Sequence, residues 1–268
     1  MLTLVDVSYR YAGGESPSLR DVTLKLANGE VVGLTGASES GKSTLCLVAS
    51  GLAPRTIRGT LEGQLSIDGQ DMTSAPMHVL AASIGIGFQD PVAQLSGVCG
   101  TVFEEIAFTP MNLAVPRDEV IARTWAALAA LRIEALAPRA PNTLSGGQMQ
   151  LVAIAGLLAM QPRHLVLDEP TAQLDPAGTA LVGAALARLA EGGTSILIAE
   201  QKTDLLSRIC SRVLVLDAGR VVLDGPAAEV LADPRLDELG VPVPSAIRLR
   251  RAIDAAGLML DIPADLVA

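Results

Sequence analysis

Hydrophobic residues recur along this chain in short unbroken runs. Three of these runs cover residues 31–34, 165–167 and 196–198, and each is rich in Val, Ile or Leu. Runs of this length are typical of strands buried within a sheet. Residues 1–4 open a further strand, and we expect an antiparallel β portion over residues 2–35 together with 61–68. The pattern as a whole predicts an α/β protein.

Helical periodicity marks three other segments. One begins just after Pro116, where acidic residues occupy the first turn. Another begins at Ser145, and a third covers residues 245–256. We expect a helical insertion over residues 92–160 and a small C-terminal extension over residues 231–268. The apolar sides of the first and third helices are predicted to contain Val120, Leu128 and Leu131, and Ala246, Leu249, Ile253 and Ala256.

The composition narrows the function classes. The 268 residues carry a net charge of −9, which argues against a nucleic-acid-binding protein. An odd number of cysteines, three, with no paired metal-ligand spacing, is expected in a reducing compartment. The sequence contains no uninterrupted apolar window of about 18 residues, so we expect a cytoplasmic protein that reaches a membrane only through a partner.

A glycine-rich loop, GASESGKST, follows the first buried run. The backbone N–H groups of such a loop converge on phosphate oxygens at the N-terminus of the next helix. Lys42 supplies a positive charge between the β- and γ-phosphates, and Ser43 offers a hydroxyl to Mg²⁺. The sequence therefore predicts a site for a nucleoside triphosphate. Its expected binding residues are Gly36, Ser38, Glu39, Ser40, Gly41, Lys42, Ser43 and Thr44.

The second buried run ends in two adjacent acids, Asp168 and Glu169. Ligands bind at the carboxyl ends of strands in open α/β sheets, so both carboxylates are expected at the site. Asp168 is predicted to hold Mg²⁺, and Glu169 to act as general base for the attacking water. Gln89 fits a loop glutamine whose amide oxygen reaches Mg²⁺. The alternative for the two acids is a strand that ends in solvated carboxylates.

These motifs, together with LSGGQ at residues 144–148, resemble the ATP-binding-cassette (ABC) ATPases over residues 1–230. The resemblance implies a P-loop core with an antiparallel β subdomain, a helical subdomain and a dimer that binds ATP. In the family, the LSGGQ motif contacts the γ-phosphate of nucleotide held by a second subunit, which implies this role for Ser145 and Gly147 beside Gln148. Asp175 matches the loop that couples the two sites.

The same resemblance places an aromatic ring against the adenine at Tyr11. A core position is the alternative for Tyr11, because Tyr9 is a close competitor. Two residues depart from the family pattern. Gln201 stands where most relatives have a histidine that holds the γ-phosphate, and Glu39 stands at a loop position that is usually glycine.

We expect Gln201 to act in catalysis with Glu169 and Lys42, but to slow turnover, because an amide cannot become cationic. Glu39 costs on the order of 1 kcal/mol if its φ is positive. Its side chain either faces the nucleotide or points to solvent. The departures raise the hypothesis that the LSGGQ motif completes a faster site on a different ATPase. A homodimer and a heterodimer both remain open.

A narrower resemblance is to the ATPases of energy-coupling-factor (ECF) importers. It is carried by FQDPVAQL at residues 88–95, TVFEEIAF at 101–108, PMNL at 110–113 and the C-terminal extension. It implies import of a vitamin or a transition-metal ion, through a membrane-embedded coupling protein and a substrate-binding membrane protein. The coupling protein is expected to dock near residues 89–94, on a groove floored by Val92 and Leu95.

Other functions are weighed against ECF-type import. Another kind of ABC importer is the main alternative. DNA-repair ABC ATPases carry a long coiled coil between the phosphate loop and LSGGQ, and only about 100 residues separate these motifs here, too few for one. Translation-linked relatives normally contain two cassettes in one chain, and this sequence shows one.

Overall fold

The computed structural model describes residues 1–255. Within them, ten strands form two sheets: β1 (Leu2–Tyr11), β2 (Leu19–Leu26), β3 (Val31–Thr35), β4 (Gly59–Ile67), β5 (Gln70–Asp71), β6 (Ile84–Gly87), β7 (His164–Asp168), β8 (Ser195–Ala199), β9 (Arg212–Asp217) and β10 (Arg220–Pro226). The larger sheet has the order β10-β9-β3-β8-β7-β6. Its strands are parallel except β10, which pairs antiparallel with β9.

The smaller sheet is antiparallel, with the order β2-β1-β4-β5. It contains residues 2–26 and 59–71 but not residues 31–35, so the predicted antiparallel portion over 2–35 is too long. β3 lies instead in the parallel sheet, between β8 and β9. All five β3 residues are buried, as expected for a strand covered on both faces.

The helices of the described residues are α1 (Lys42–Ala49), α2 (Leu52–Arg55), α3 (Met77–Ala81), α4 (Val102–Asn112), α5 (Arg117–Leu131), α6 (Gly146–Leu158), α7 (Pro176–Glu191), α8 (Thr203–Ile209), α9 (Ala227–Val230), α10 (Arg235–Glu238) and α11 (Ser245–Ala255). α5 begins after Pro116, as predicted, and buries the expected Val120, Leu128 and Leu131. Throughout the described part of the chain, none of the helices has the length and apolar character needed to cross a bilayer.

The apolar face predicted for α11 is partly wrong. Ile247 packs against the core, whereas Leu249 is 53% exposed. Residues 241–243 precede α11 and pack against the core, since Val241 and Val243 are buried. Their position determines which side of α11 faces inward. Ala256, the last residue predicted for this face, lies outside the described residues.

Charged residues lie at and beside the amino ends of the parallel strands of the larger sheet, which we call its amino edge. Each of them forms a salt bridge. Asp68 accepts hydrogen bonds from the Met1 ammonium and from Arg163. Arg212 at the start of β9 donates two hydrogen bonds of 2.6 Å to the carboxylate of Asp224. These pairs connect the edge of the larger sheet to its neighbouring segments.

His164 begins β7 at this same edge. It is fully buried, and neither ring nitrogen has a hydrogen-bond partner among the described residues. Burial lowers the pKa of the His164 imidazole to about 4. The ring is therefore neutral at physiological pH and packs as part of the core.

Candidate active site

The glycine-rich loop lies at the carboxyl end of β3 and leads directly into α1. Gly41 precedes that helix with φ 107°, and a Cβ there would lie 2.8 Å from the carbonyl oxygen of Ser18. Only glycine fits such a close approach without strain. The first N–H groups of α1 lack acceptors within the helix, so with the loop they form an anion-binding surface.

Lys42 is the first residue of α1 and is only 5% exposed. Its Nζ donates hydrogen bonds to the carbonyl oxygens of Gly36, at 3.0 Å, and Ala37, at 2.9 Å. The ammonium is thus held inside the curve of the loop, where it attracts phosphate oxygens.

Asp168 ends β7, and the hydroxyl of Ser43 donates to its Oδ1 at 3.1 Å. Two of the predicted magnesium ligands therefore lie together. Burial raises the pKa of the Asp168 carboxyl, against the lowering effect of the Ser43 hydrogen bond. A divalent cation would offset this buried negative charge and accept both oxygen donors, so the pair fits Mg²⁺.

Gln201, which follows β8, contacts the predicted general base directly. Its Nε2 donates a hydrogen bond of 2.7 Å to Oε1 of Glu169. Gln201 therefore orients the carboxylate of Glu169, the predicted general base. A neutral amide can fix the orientation of the carboxylate, but it brings no positive charge.

A cavity of about 550 Å³ opens beside the phosphate loop, a size typical of small-ligand sites. Its wall includes the predicted residues Ser38, Glu39, Gly41, Lys42, Ser43, Thr44, Glu169 and Gln201. The other wall comes from residues 16–18, Arg20, Ala218 and Gly219. This second wall was not predicted from the sequence, because its residues form no motif and come together only when the start of β2 and the β9–β10 turn pack beside the loop.

Glu39 has φ 65°, so the loop does require a positive φ at this position. A non-glycine residue in this region costs on the order of 1 kcal/mol. The Glu39 residue is exposed, and the space it borders is the cavity of the phosphate loop. Its charge therefore lies on the wall of the predicted nucleotide site.

The two neighbouring tyrosines differ in position. Tyr9 is fully buried, and its hydroxyl donates to the carbonyl oxygen of Ile57 at 2.9 Å. Tyr11 is half-buried, and its hydroxyl lies 3.0 Å from that of Thr44. Tyr9 is thus the core tyrosine, and Tyr11, tied to the helix of the phosphate loop, stays the candidate for the adenine contact.

Three consecutive residues follow β8, namely Glu200, Gln201 and Lys202. Their side chains form hydrogen bonds with the segment that follows β7. Glu200 is buried and accepts a hydrogen bond of 2.7 Å from the hydroxyl of Thr171. The Nζ of Lys202 donates to the carbonyl oxygen of Thr171 at 2.6 Å and to the hydroxyl of Thr179 at 2.8 Å. The sequence predicts no role for Glu200 or Lys202, because their partners are distant in sequence and share no motif with them.

LSGGQ forms the start of α6. The hydroxyl of Ser145 accepts from the backbone N–H of Gln148 at 3.3 Å, and Oε1 of Gln148 accepts from the N–H of Ser145 at 3.1 Å. This capping box fixes the N-terminus of α6 and leaves Ser145 exposed.

Gly147 is buried, and a Cβ there would lie 2.9 Å from Cα of Gly178. Gly147 therefore allows α6 and α7 to approach closely. Asp175 caps α7, since its Oδ1 accepts from the N–H of Gly178 at 2.7 Å.

Some predicted site residues lie outside the lining of the phosphate-loop cavity. Besides Gln89, these are Tyr11, Gly36, Ser40, Ser145, Gly147, Gln148, Asp168 and Asp175. Gln89 is exposed beyond the end of β6. The nearby Gln94 shapes this turn, because its Oε1 accepts from the N–H of Phe88 at 2.8 Å and its Nε2 donates to the carbonyl oxygen of Ile86 at 3.2 Å.

A smaller cavity of about 210 Å³ lies between this turn and helices α4 and α6. Its lining includes Leu95, Phe108, Val152 and Leu157. Val92, which is predicted with Leu95 for the groove floor, is 61% exposed and lies outside the lining of this cavity. The 3₁₀ turn at Val92–Gln94 directs Leu95 inward and leaves Val92 at the surface.

Comparison with known proteins agrees with this geometry. The sequence profile of the ABC transporter family matches residues 19–172. The chain belongs to the ABC transporter family. The matched segment covers the phosphate loop, LSGGQ and the acidic pair, and the comparisons confirm the predicted fold class of an ABC ATPase.

Relatives with narrower descriptions are also similar to this ABC ATPase. The energy-coupling factor transporter ATP-binding protein EcfA of Methanosarcina acetivorans is 37% identical over 259 residues, which cover 96% of this chain and 91% of the relative. The structure of CbiO1 from Clostridium perfringens, described as part of the ABC transporter complex cbiONQ, has a TM-score of 0.78 and 33% identity, with 93% of this chain and 98% of that chain covered.

The dimeric ABC transporter cassette MJ0796 has a TM-score of 0.71 and 28% identity, over 85% of this chain and 99% of that chain. MJ0796 has also been solved in a post-hydrolysis state bound to ADP and Pi. Membership of this family identifies the chain as the ATPase of a transporter, and the predicted resemblance to ECF transporter ATPases is confirmed.

Proposed function

We propose that this chain is the ATP-hydrolysing subunit of an ECF-type importer for a vitamin or a transition-metal ion, bound peripherally at the cytoplasmic face of the membrane. Similarity to EcfA over 96% of the chain supports this assignment. CbiO1, which belongs to a complex named as an ABC transporter, supports it as well. The partners would be a transmembrane coupling protein and a substrate-binding membrane protein.

The observation that carries the proposal is the convergence of Lys42, Ser43 and Glu169 on one cavity, with Asp168 hydrogen-bonded to Ser43. The loop N–H groups and Lys42 would bind the triphosphate of ATP. Ser43 and Asp168, with Gln89, would hold Mg²⁺. When bound, Mg²⁺ would neutralise phosphate charge.

Glu169 acts as the general base in this proposal. Gln201 occupies its Oε1, so the other carboxylate oxygen accepts the proton of the attacking water. Gln201 supplies no cationic charge to the phosphate during hydrolysis. The site therefore turns over more slowly than the same site with a histidine would.

A second ABC ATPase subunit would complete the site. The exposed Ser145 at the positive end of the α6 dipole is suited to contact a γ-phosphate bound to the partner, with Gly147 and Gln148 in the same motif. The loop that ends at Asp175 would couple the two sites. This subunit is either a second copy or a different ATPase.

We propose that the cavity around Leu95 and Phe108 receives a cytoplasmic helix of the coupling protein. Apolar side chains at α4 and α6 line it, as expected of a helix-binding groove. Replacing Leu95 with Asp should abolish membrane recruitment while ATP binding remains, because the charge would be buried at the contact.

The experiment co-expresses the chain with the membrane proteins encoded beside it and measures the amount of chain in washed membranes. Val222→Asp is the matched control, because Val222 is 39% exposed on β10, away from the groove. Unchanged recruitment of the Leu95→Asp variant would contradict the docking site. Co-purification with membrane proteins of another importer type would replace the ECF assignment by the broader ABC importer assignment.

A further inference from the structure

Two charged residues of opposite sign lie on different walls of the phosphate-loop cavity. Glu39 belongs to the loop, and Arg20 belongs to β2. Two further charged residues line this cavity, Lys42 and Glu169. Arg20 belongs to none of the sequence motifs described above.

The backbone holds Arg20 at this wall. Its N–H donates a hydrogen bond of 2.8 Å to the carbonyl oxygen of Gly219, another wall residue. Two residues earlier, the carbonyl oxygen of Ser18 lies against Gly41 at the end of the phosphate loop. The start of β2 is therefore packed beside the N-terminus of α1.

The guanidinium of Arg20 differs from those of two arginines in β9 and β10. Arg220 forms a salt bridge of 2.9 Å with Asp21, and Arg212 forms one of 2.6 Å with Asp224. Within residues 1–255, Arg20 has neither a salt bridge nor a side-chain hydrogen bond, although it is half-buried. A half-buried arginine with five free donors is suited to bind an anion.

The charges of the cavity wall support this interpretation. Without Arg20, one cation, Lys42, would face two carboxylates, Glu39 and Glu169, and the charged side chains of the wall would oppose the binding of an anion. Arg20 makes the number of cations equal to the number of carboxylates. The usual glycine at position 39 would carry no charge, so the need for this cation is specific to a loop that contains Glu39.

We propose that Arg20 is a further nucleotide-binding residue, which contacts the phosphate oxygens and offsets the negative charge of Glu39. The proposal rests on ATP binding at the phosphate loop, as stated under the proposed function. It predicts a dependence on phosphate charge, because a guanidinium forms strong, often bidentate hydrogen bonds with phosphate. It also predicts that the effects of Arg20 and Glu39 are coupled.

The test measures the dissociation constants of ADP and adenosine by calorimetry for the full chain. Arg20→Gln should weaken ADP binding about tenfold, the effect of losing one charge-assisted contact, and change adenosine binding less than twofold. Arg20→Lys should restore most of the affinity for ADP. Arg10→Gln is the control, because Arg10 is exposed on β1 and lies outside the cavity lining.

The second arm uses Glu39→Gln, which removes the charge and keeps the side-chain length. This variant should tighten ADP binding, and Arg20→Gln should weaken ADP binding by clearly less than tenfold when it is added to Glu39→Gln. Equal weakening of ADP and adenosine by Arg20→Gln would show that the residue contacts the base. Unchanged ADP affinity in both single variants would overturn the inference, whereas a wild-type chain that binds no ADP would contradict the proposed function itself.

Discussion

The amino edge and the carboxyl edge of the larger sheet, formed by the two ends of its parallel strands, differ in whether their charged side chains form salt bridges. At the amino edge, the carboxylate of Asp68 binds two cationic groups, and Arg212 is held by Asp224. At the carboxyl edge, Glu39 and Arg20 line an open cavity, and no salt bridge involves either of them among residues 1–255. The charged groups at the amino edge neutralise one another, whereas Glu39 and Arg20 at the carboxyl edge remain open to a ligand.

β7 shows the same contrast within five residues. His164 at its amino end is buried and neutral, whereas Asp168 at its carboxyl end is held by a hydroxyl that is also suited to a metal. Along this one strand, the residue that contributes to stability and the residue that is suited to chemistry are therefore different. Substitutions at the carboxyl edge should change turnover with little change in stability, and substitutions at the amino edge should do the reverse.

The largest expected effect is that of Glu169→Gln. The amide keeps the shape of the side chain but cannot accept the proton of water, so turnover should fall by at least about 100-fold. ATP turnover in the complex assembled with the membrane partners measures this effect, and ATP binding serves as the control, since it should remain. Turnover that largely survives would mean that a partner ATPase hydrolyses the ATP and that this chain contributes its LSGGQ motif.

The next effect concerns the amino edge and depends on pH. The folded state holds the pKa of His164 at about 4, below the usual value near 6.5, so protons bind preferentially to the unfolded chain as the pH falls below 6.5. Between pH 7 and pH 5, this difference lowers the free energy of unfolding by about 2 kcal/mol. The loss levels off below pH 4.

Chemical denaturation at both pH values checks this prediction with His164→Leu, which should lose about 2 kcal/mol less than wild type over the same interval. His78→Leu is the matched control, because His78 is exposed and is the only other histidine of the chain. An identical pH dependence in wild type and His164→Leu would contradict the buried neutral imidazole.

The smallest of the three effects would sharpen the comparison at the carboxyl edge. Gln201→His restores a side chain that can become cationic beside Glu169, so turnover should rise about tenfold, or about 1.4 kcal/mol in activation free energy. Gln201→Asn should not raise turnover, because the shorter amide cannot reach Glu169. The stability of all three proteins should be alike. If Gln201→His leaves turnover of the assembled complex unchanged, the hypothesis that Gln201 slows ATP turnover is wrong.

Local sequence was sufficient to predict the phosphate loop and the starts of α5 and α6. In each of these, neighbouring residues supply both the backbone geometry and its hydrogen-bond partners, as Ser145 and Gln148 do. The sheet that receives β3 could not be predicted in the same way, because its strand pairing joins residues 31–35 to segments near residues 196 and 213.

The contributions of Arg20 and Lys202 also escaped prediction. Arg20 reaches the cavity through the packing of one sheet beside the phosphate loop, and Lys202 finds its acceptors at Thr171 and Thr179. These contacts depend on tertiary structure, and the residue types carry no periodic signal. The direction of Leu95 rather than Val92 into the groove is a similar case, since a single 3₁₀ turn determines it.

The adjacency of Gln201 and Lys202 has a consequence for timing. One planar peptide bond joins the residue that holds Glu169 to the residue that holds the loop after it. A displacement of this dipeptide would therefore disturb the contacts of Glu169 and of Thr171 together. A rearrangement of the segment toward Asp175 would be accompanied by a change in the orientation of the Glu169 carboxylate.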